Sequence, residues 1–451
     1  MEEEGMRVAV VGAGVSGLAA AHELVCRAGG GGGRARVTVY EAEETLGGHA
    51  RTADVDGVHL DLGFMVFNRV TYPNMLEWFE ELGVEMETSD MSLSVSTQLS
   101  GGGRCEWGSR NGLSGLLAQK SNALRPGFWR MIREILKFKE DALRYLEDHE
   151  SNPDLDRDET LGHFIQTHGY SQLFQEAYLI PICACIWSCP SQGVLGFSAF
   201  FVLSFCRNHH LLQIFGRPQW LTVKGRSHTY VNKVREELES MGCQIKTSCQ
   251  VKSVSSSEGG YRVVELNGSE ETYDKIIFGA HAPDALRMLG DEATHEELRI
   301  LGAFQYVYSD IYLHCDKTLM PQNPSAWSAW NFLGTTSSGV SVTYWLNLLQ
   351  VKLHKIEFSS NQYSAATMVC TVLHGDLTLE KLEHRIYRQA ILGDTESTAC
   401  PGSYPAQMEH QPSCSVRRCC KGFPGASADP GKQRNMVLRG ISRLWLPRRW
   451  S

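Results

Sequence analysis

The sequence lacks an apolar run long enough to cross a membrane. Its longest apolar block, Val194 to Cys206, has 13 residues, whereas a spanning helix needs about 20. We therefore expect no transmembrane segment and interpret this block as a buried or substrate-facing helix. The first residues, MEEEGMR, lack the basic start and the cleavage site of a secretory signal, so we expect a cytoplasmic protein.

An excess of positive charge is also absent. The formal net charge is −8, and nucleic-acid binding needs clustered Lys and Arg to neutralise phosphates, so we expect no nucleic-acid partner. The charge is uneven, because the segment from residue 351 onward carries +6 and the rest of the chain −14. This basic tail leaves peripheral contact with anionic lipid open as an alternative, although its charges follow no apolar face.

The cysteines show no metal-binding pattern. Among 14 cysteines, Cys183, Cys185 and Cys189 cluster, but they lack the paired spacing and the nearby histidines of a zinc site. Cysteines of a cytosolic chain usually remain free thiols. We therefore predict neither a metal site nor a disulfide framework.

The most informative feature is a short apolar strand that leads into Gly12, Gly14 and Gly17. Glycines at this spacing let a pyrophosphate approach the backbone amides where the next helix begins. We also predict that Ser16, between the last two glycines, binds the cofactor. Glu41 closes the second strand, 24 positions past Gly17, where a carboxylate can accept both ribose hydroxyls. The pattern predicts a dinucleotide site, with a ligand-free structural βαβ unit as the alternative.

A second glycine pair, Gly47 and Gly48, precedes Arg51 and favours flavin over nicotinamide. The stretch from Gly12 to Arg51 resembles the FAD-binding start of the flavin amine oxidase superfamily. That resemblance implies FAD as the cofactor, with the paired glycines and Arg51 against its phosphates and flavin. The alternative is an ordinary glycine turn followed by a solvated arginine.

The resemblance continues beyond this first segment. It implies that Gly63 and Phe64, which follow Asp61, lie close to the isoalloxazine ring, and that the backbone of Val251 meets the adenine. The alternatives are a plain aspartate-glycine turn and an ordinary core valine. Further matching segments are residues 220–228 and 273–281.

Residues 93–350 look like the FAD-oxidoreductase domain that plants fuse ahead of a cyclopropane-fatty-acid synthase. We expect no methyltransferase half in this chain, since nothing downstream offers the glycine-rich loop and acidic residue of an S-adenosylmethionine site. After residue 350 the likeness is lost as the composition shifts to Arg, Cys and Pro. We hypothesise that a splice or reading-frame change replaced the family's closing segment.

The sequence predicts an α/β fold: a Rossmann-like FAD-binding domain of the GR2 type, a mixed α+β substrate domain and a helical insert. Apolar spacing over residues 126–149 predicts an amphipathic helix, and Thr160 is expected to cap the next one. The predicted domains are the first FAD-binding part at 1–90, a mostly helical substrate region at 91–240, a β-rich return at 241–290, substrate-domain strands at 291–350 and a poorly ordered tail at 351–451.

On this resemblance we predict an FAD-dependent oxidoreductase that oxidises or desaturates an apolar or lipid-like small molecule. Catalytic residues stay unassigned, because the cofactor would perform the chemistry. Lys224 and His281 are considered for orienting water and exchanging protons, with purely structural roles as alternatives. Two other functions stay open: an inactive fragment without the closing FAD-binding segment, and a nicotinamide-dependent dehydrogenase.

Overall fold

A computed structural model describes residues 5–27, 35–55, 57–187, 189, 191, 193–213, 216–314, 317–335, 341–350, 369–373 and 409–415. These residues form two compact units. The first is built from Met1–Glu87 and Leu221–Phe304, and the second from Thr88–Trp220 and Gln305–Lys421. Most of the predicted basic tail lies outside the described residues.

The strands are β1 (Arg7–Val11), β2 (Arg36–Tyr40), β3 (Thr52–Val55), β4 (Val58–Asp61), β5 (Phe67–Asn68), β6 (Met86–Thr88), β7 (Leu93–Gln98), β8 (Arg104–Gly108), β9 (Trp220–Val223), β10 (Gln244–Lys246), β11 (Val251–Ser257), β12 (Gly260–Glu265), β13 (Glu270–Tyr273), β14 (Lys275–Phe278), β15 (Gln305–His314), β16 (Trp330–Thr335), β17 (Ser341–Trp345), β18 (Val369–Leu373) and β19 (Glu409–Ser415).

The α-helices are α1 (Val15–Arg27), α2 (Pro73–Glu81), α3 (Gly112–Leu116), α4 (Pro126–Ser151), α5 (Leu161–Thr167), α6 (Gln172–Phe174), α7 (Ile180–Trp187), α8 (Ala199–Asn208), α9 (Ser227–Ser240), α10 (Ala282–Leu289), α11 (His295–Leu301) and α12 (Leu346–Leu349). A π-helical turn, Gln175–Leu179, joins α6 to α7. None of the described helices is both long and apolar enough to cross a bilayer.

The first unit is organised around a parallel sheet of order β10-β2-β1-β14. Residues 8–11 of β1 and 37–40 of β2 are all buried, as expected for parallel strands that are covered on both faces. Helix α1 provides the crossover from β1 to β2. The predicted α/β fold with a Rossmann-like βαβ unit is therefore confirmed.

An antiparallel sheet of order β11-β12-β13 packs on this parallel sheet. The two sheets share one apolar core, which includes Ala9, Val11, Val251, Val254, Val263, Ile276 and Phe278. Residues 241–290, which were predicted to be β-rich, contain β10, β11, β12, β13 and β14. Of these strands, β13 carries the weakest sequence signal, because only Tyr273 of its four residues is buried and the strand shows no apolar alternation.

One polar cluster ties the two sheets together. The Lys246 ammonium on β10 lies 2.8 Å from Glu265 Oε1 and 2.7 Å from Glu271 Oε1. It also lies 4.9 Å from the centre of the Tyr40 ring, and the hydroxyls of Tyr40 and Tyr273 are 2.7 Å apart. Hydrogen bonds from Lys246 hold the pKa of both carboxyls below the ordinary 4.5.

This cluster predicts a pH-dependent stability. The ionised carboxylates contribute stability above pH 4.5, and the contribution is lost as the pH falls through their lowered folded-state values. A Lys246→Met variant leaves the Glu265 side chain, only 8% exposed, without its cation, so we expect the free energy of unfolding at pH 7 to fall by about 1–3 kcal/mol.

Urea unfolding at pH 7 and pH 4 checks this expectation. The wild type should lose more stability between the two values than Lys246→Met does. Lys252→Met, which removes an exposed lysine of β11, is the matched control and should behave like the wild type. If the wild type and Lys246→Met lost the same stability between pH 7 and pH 4, the ion pairs of Lys246 would not be the cause of the acid sensitivity.

The second unit contains a mixed sheet of order β19-β15-β18-β17-β16-β7-β8. In this sheet β16 and β7 run parallel, and all other neighbouring strand pairs run antiparallel. Two of these strands, β18 and β19, come from the chain after residue 350. The predicted amphipathic helix over 126–149 is confirmed as α4, which runs two residues further.

The apolar stripe predicted for α4 is only partly correct. Leu136 is 52% exposed, whereas Glu134 and Asp141 are buried. Glu134 accepts hydrogen bonds from the backbone and hydroxyl of Ser171, and Asp141 accepts one from the Tyr170 hydroxyl at 2.8 Å. Buried carboxylates with such partners cannot be distinguished from surface charges by helical spacing alone.

The apolar block from Val194 to Cys206 does not form the single helix that was predicted. A 3₁₀ turn over Val194–Gly196 comes first, and α8 then begins after Ser198, whose side chain accepts a hydrogen bond from the Phe201 amide. The buried Ser198 cap breaks the run, because such a side chain favours a helix start over a helix interior. The predicted cap of α5 is confirmed, since Thr160 accepts from the His163 amide at 3.2 Å.

Candidate dinucleotide site

Three glycines let the first turn pack backbone against backbone. Gly12, between β1 and α1, has φ +101°, a conformation that favours glycine. A Cβ at Gly17 would lie 1.8 Å from the Gly12 carbonyl oxygen, and one at Gly279 would lie 2.7 Å from the same atom. The turn after β1, the first turn of α1 and the end of β14 therefore meet without side chains between them.

Gly14 is different, because the fold itself does not require a glycine there. Its φ lies outside the left-handed region, and a Cβ at this position would meet no atom of the described residues within 4 Å. The open space adjoins the start of α1, where the first amides have no partner within the helix and the helix dipole favours an anion. Ser16 is half-buried in this first helical turn.

The second glycine turn lies directly against the first. The Gly47 amide donates to the Ala13 carbonyl at 2.9 Å, and Gly47 forms a parallel bridge with Gly14. A Cβ at Gly48 would lie 3.0 Å from the Gly14 Cα. The two turns that the sequence placed more than thirty residues apart thus form one backbone-lined surface.

Glu41 follows β2 and points at this surface. Its Oε2 accepts from the Ala13 amide at 2.7 Å and its Oε1 from the Glu43 amide at 3.0 Å. Its own amide donates to the Lys246 carbonyl at 2.8 Å, which joins it to β10. A half-buried carboxylate held by two amides keeps free lone pairs for hydroxyl donors.

Gly63 and Phe64 contact the backbone of His49, which directly follows the second glycine turn. A Cβ at Gly63 would lie 1.9 Å from the His49 carbonyl oxygen, and the Phe64 amide donates to that oxygen at 3.0 Å. Arg51 is exposed just before β3, and its guanidinium forms no ion pair within the described part of the chain. The segment from Gly47 to Arg51 is therefore joined by backbone hydrogen bonds to the first glycine turn on one side and to Phe64 on the other.

The side chain of Val251 is 3% exposed and belongs to the shared core of the first unit. Cys249, two positions before it, donates its amide to the Glu41 carbonyl at 2.8 Å. The start of β11 is thus tied to the residue that follows β2. The side chain of Val251 thus packs in the core, and the contact of the Val251 backbone with adenine stays a prediction.

The structure adds two residues that the sequence analysis did not select. Gly279 packs on the first glycine turn, and His49 lies with its ring centre 5.4 Å from that of His281, with the planes at 30°. His281 immediately precedes α10. The available signals were that His49 directly follows Gly48 and that Gly279 lies within the matching segment 273–281.

Two other residues near the matching segments stabilise the fold. The Lys224 ammonium pairs with Glu85, and that hydrogen bond raises the pKa of Lys224. Asp61, 1% exposed, accepts from the Ser227 amide at 2.9 Å and from the Thr52 hydroxyl at 2.6 Å. Burial raises the pKa of Asp61, and its carboxyl caps the first turn of α9.

Comparison with known proteins agrees with this geometry. A family profile described as flavin containing amine oxidoreductase matches residues 15–406. Among curated proteins, polyamine oxidase 1 of Oryza sativa subsp. japonica is 49% identical over 57 residues, which make up 13% of this chain and 10% of that protein. The match thus spans about a tenth of that relative's length.

Solved structures share the fold at low sequence identity. Wild-type putrescine oxidase bound to putrescine has a TM-score of 0.57 and 16% identity, over 92% of this chain and 88% of that one. A putative protoporphyrinogen oxidase from Exiguobacterium sp. 255-15 has a TM-score of 0.55 and 15% identity, over 85% of this chain and 82% of that one.

Proposed function

The chain belongs to the flavin-containing amine oxidoreductase family, and we propose that it is an FAD-dependent oxidoreductase whose cofactor is held at the junction of its two glycine turns. The observation that carries this proposal is the open space beside Gly14, because no neighbour requires a glycine there. A pyrophosphate needs such a space at a helix start. The Glu41 carboxylate, 2.7 Å from the Ala13 amide, suits the adenosine ribose.

The remaining predicted residues receive roles by their positions around this junction. The Ser16 and Gly17 amides would donate to the pyrophosphate, and Gly48 and Arg51 would lie along the phosphates and the flavin. Gly63 and Phe64 would adjoin the isoalloxazine, while Val251 would offer its backbone to adenine. When bound, FAD supplies a two-electron acceptor.

We propose that His49 and His281 exchange protons close to this site. Their ring centres are 5.4 Å apart, and a histidine side chain can act as a general acid or base. Both follow segments that contact the first glycine turn. Lys224 is less suited to such a role, because its ammonium already pairs with Glu85.

We propose an apolar or lipid-like substrate. Supporting this, the second unit carries a half-buried aromatic group in which the Trp187 ring lies 5.9 Å from Phe197, 6.0 Å from Phe201 and 5.1 Å from Phe205. Such rings offer a large apolar contact area. The likeness to the flavin domain fused to plant cyclopropane-fatty-acid synthases also favours a lipid over the amines named for the oxidase relatives.

Anaerobic reduction of the flavin tests the substrate proposal. The full chain is saturated with FAD, and the oxidised flavin absorbance is followed after addition of dispersed unsaturated phospholipid or, separately, of putrescine and spermidine. We expect bleaching by lipid. Bleaching by amines alone would overturn the substrate class and leave the cofactor site intact, and failure to take up FAD would favour the inactive fragment.

A further inference from the structure

Two helices of the first unit bring metal-binding side chains together away from the glycine turns. His22 and Cys26 lie one turn apart near the end of α1, and Glu237 lies on α9, with Met241 directly after that helix. One donor atom each from His22, Cys26 and Glu237 falls within 4.8 Å of the other two. We call these four residues the α1–α9 donor cluster.

The spacing within the donor cluster fits a tetrahedral ion. Zinc bonds of about 2.3 Å to sulfur and 2.0–2.1 Å to nitrogen or oxygen place neighbouring ligand atoms roughly 3.3–3.8 Å apart. His22 Nε2 lies 3.4 Å from Cys26 Sγ and 3.3 Å from Glu237 Oε2. Cys26 Sγ lies 3.6 Å from the Met241 sulfur. Three observed separations therefore match those of ligands around one ion.

The surroundings of the donor cluster allow an ion to enter from solvent and to be held. The His22 side chain is 8% exposed, and its ring packs edge-on against Trp78 with centroids 5.7 Å apart, which limits its rotation. Cys26 is exposed, so an ion can reach the cluster from solvent. A thiolate and a carboxylate together balance the two positive charges of the ion.

We propose that the α1–α9 donor cluster is a Zn²⁺ site. His22, the thiolate of Cys26 and the carboxylate of Glu237 are the ligands, and water or the Met241 thioether completes the tetrahedron. Binding releases the thiol proton to solvent, with no change of oxidation state. The ion clamps the end of α1, whose start forms the glycine turn, onto α9.

Binding and chemical protection test the site on the full chain. After chelation and reduction, Zn²⁺ is titrated by calorimetry, and iodoacetamide labelling of each cysteine is measured by peptide mapping with and without the ion. We expect one ion per chain, slower labelling of Cys26 and a higher melting temperature. Co²⁺ should give a thiolate charge-transfer absorption. These readouts are independent of FAD, so they separate this proposal from the proposed function.

Matched variants identify the ligands. Cys26→Ser and Glu237→Gln should weaken Zn²⁺ binding by more than the roughly 10- to 100-fold that loss of outer-shell partners causes. Two controls lie outside the cluster: Cys249→Ser changes another cysteine, and Glu236→Gln changes the exposed glutamate next to Glu237. Both should bind Zn²⁺ like the wild type. Unchanged labelling of wild-type Cys26 on zinc addition, or undiminished affinity in folded Cys26→Ser, would overturn the proposal.

Discussion

A Gly14→Leu variant is expected to fold like the wild type and to lose FAD. The Cβ position at Gly14 has no neighbour within 4 Å among the described residues, so the new side chain starts into open space and not into packed protein atoms. That space is where we place the cofactor pyrophosphate. We expect the FAD dissociation constant to rise by about 100-fold or more, which corresponds to about 2.7 kcal/mol or more.

Fluorescence titration of the apoprotein with FAD measures this change, and circular dichroism checks the fold. A second variant tests the ribose end independently: Glu41→Gln should bind FAD about tenfold more weakly, because a charged hydrogen bond contributes roughly 1.5–3 kcal/mol. Glu43→Gln, an exposed change two positions away, is its control. If a folded Gly14→Leu protein bound FAD as tightly as the wild type, the pyrophosphate would not bind at this junction.

A Gly17→Ala variant is expected to give the opposite result, with loss of the fold ahead of any specific loss of cofactor. Its Cβ would lie 1.8 Å from the Gly12 carbonyl oxygen. The Cβ position is fixed by the backbone and the oxygen is a backbone atom, so no side-chain rotation relieves the clash. Overpacking of this kind costs about 3 kcal/mol or more. The free energy of unfolding without cofactor should fall by that amount.

Urea unfolding of the apoprotein provides the measurement, and Gly14→Ala provides the matched control. It makes the same chemical change three positions earlier in the same turn, where a Cβ meets open space. Its stability should stay within about 0.5 kcal/mol of the wild type, as for substitutions away from packed sites. Equal destabilisation by both alanines would show that the turn relaxes around Gly17.

Helix α4 shows how far sequence patterns extend. Its apolar spacing predicted a helix and its approximate ends, because a periodic stripe needs one buried face. The same spacing misplaced Leu136, which is exposed, and gave no sign that Glu134 and Asp141 are buried. Those carboxylates are buried because Ser171 and Tyr170 supply hydrogen bonds, and these partners lie in the connection between α5 and α6.

The proposed cofactor site was likewise predictable only in part. The sequence predicted the glycines and Glu41, because their spacing is set by one local strand-turn-helix unit. It missed the contact between His49 and His281, which depends on where two distant segments end. It also missed the donor cluster, since His22 and Glu237 meet only when α1 packs on α9.

The sequence by itself determined the βαβ unit, its glycine turn and the acidic residue after the second strand, because local backbone geometry demands those residue types at that spacing. Only the tertiary structure decided which glycines are needed for packing and which one leaves space for a ligand. A Cβ at Gly17 collides with Gly12 while one at Gly14 meets nothing. That distinction depends on neighbouring atoms brought by the folded chain, which residue spacing alone does not specify.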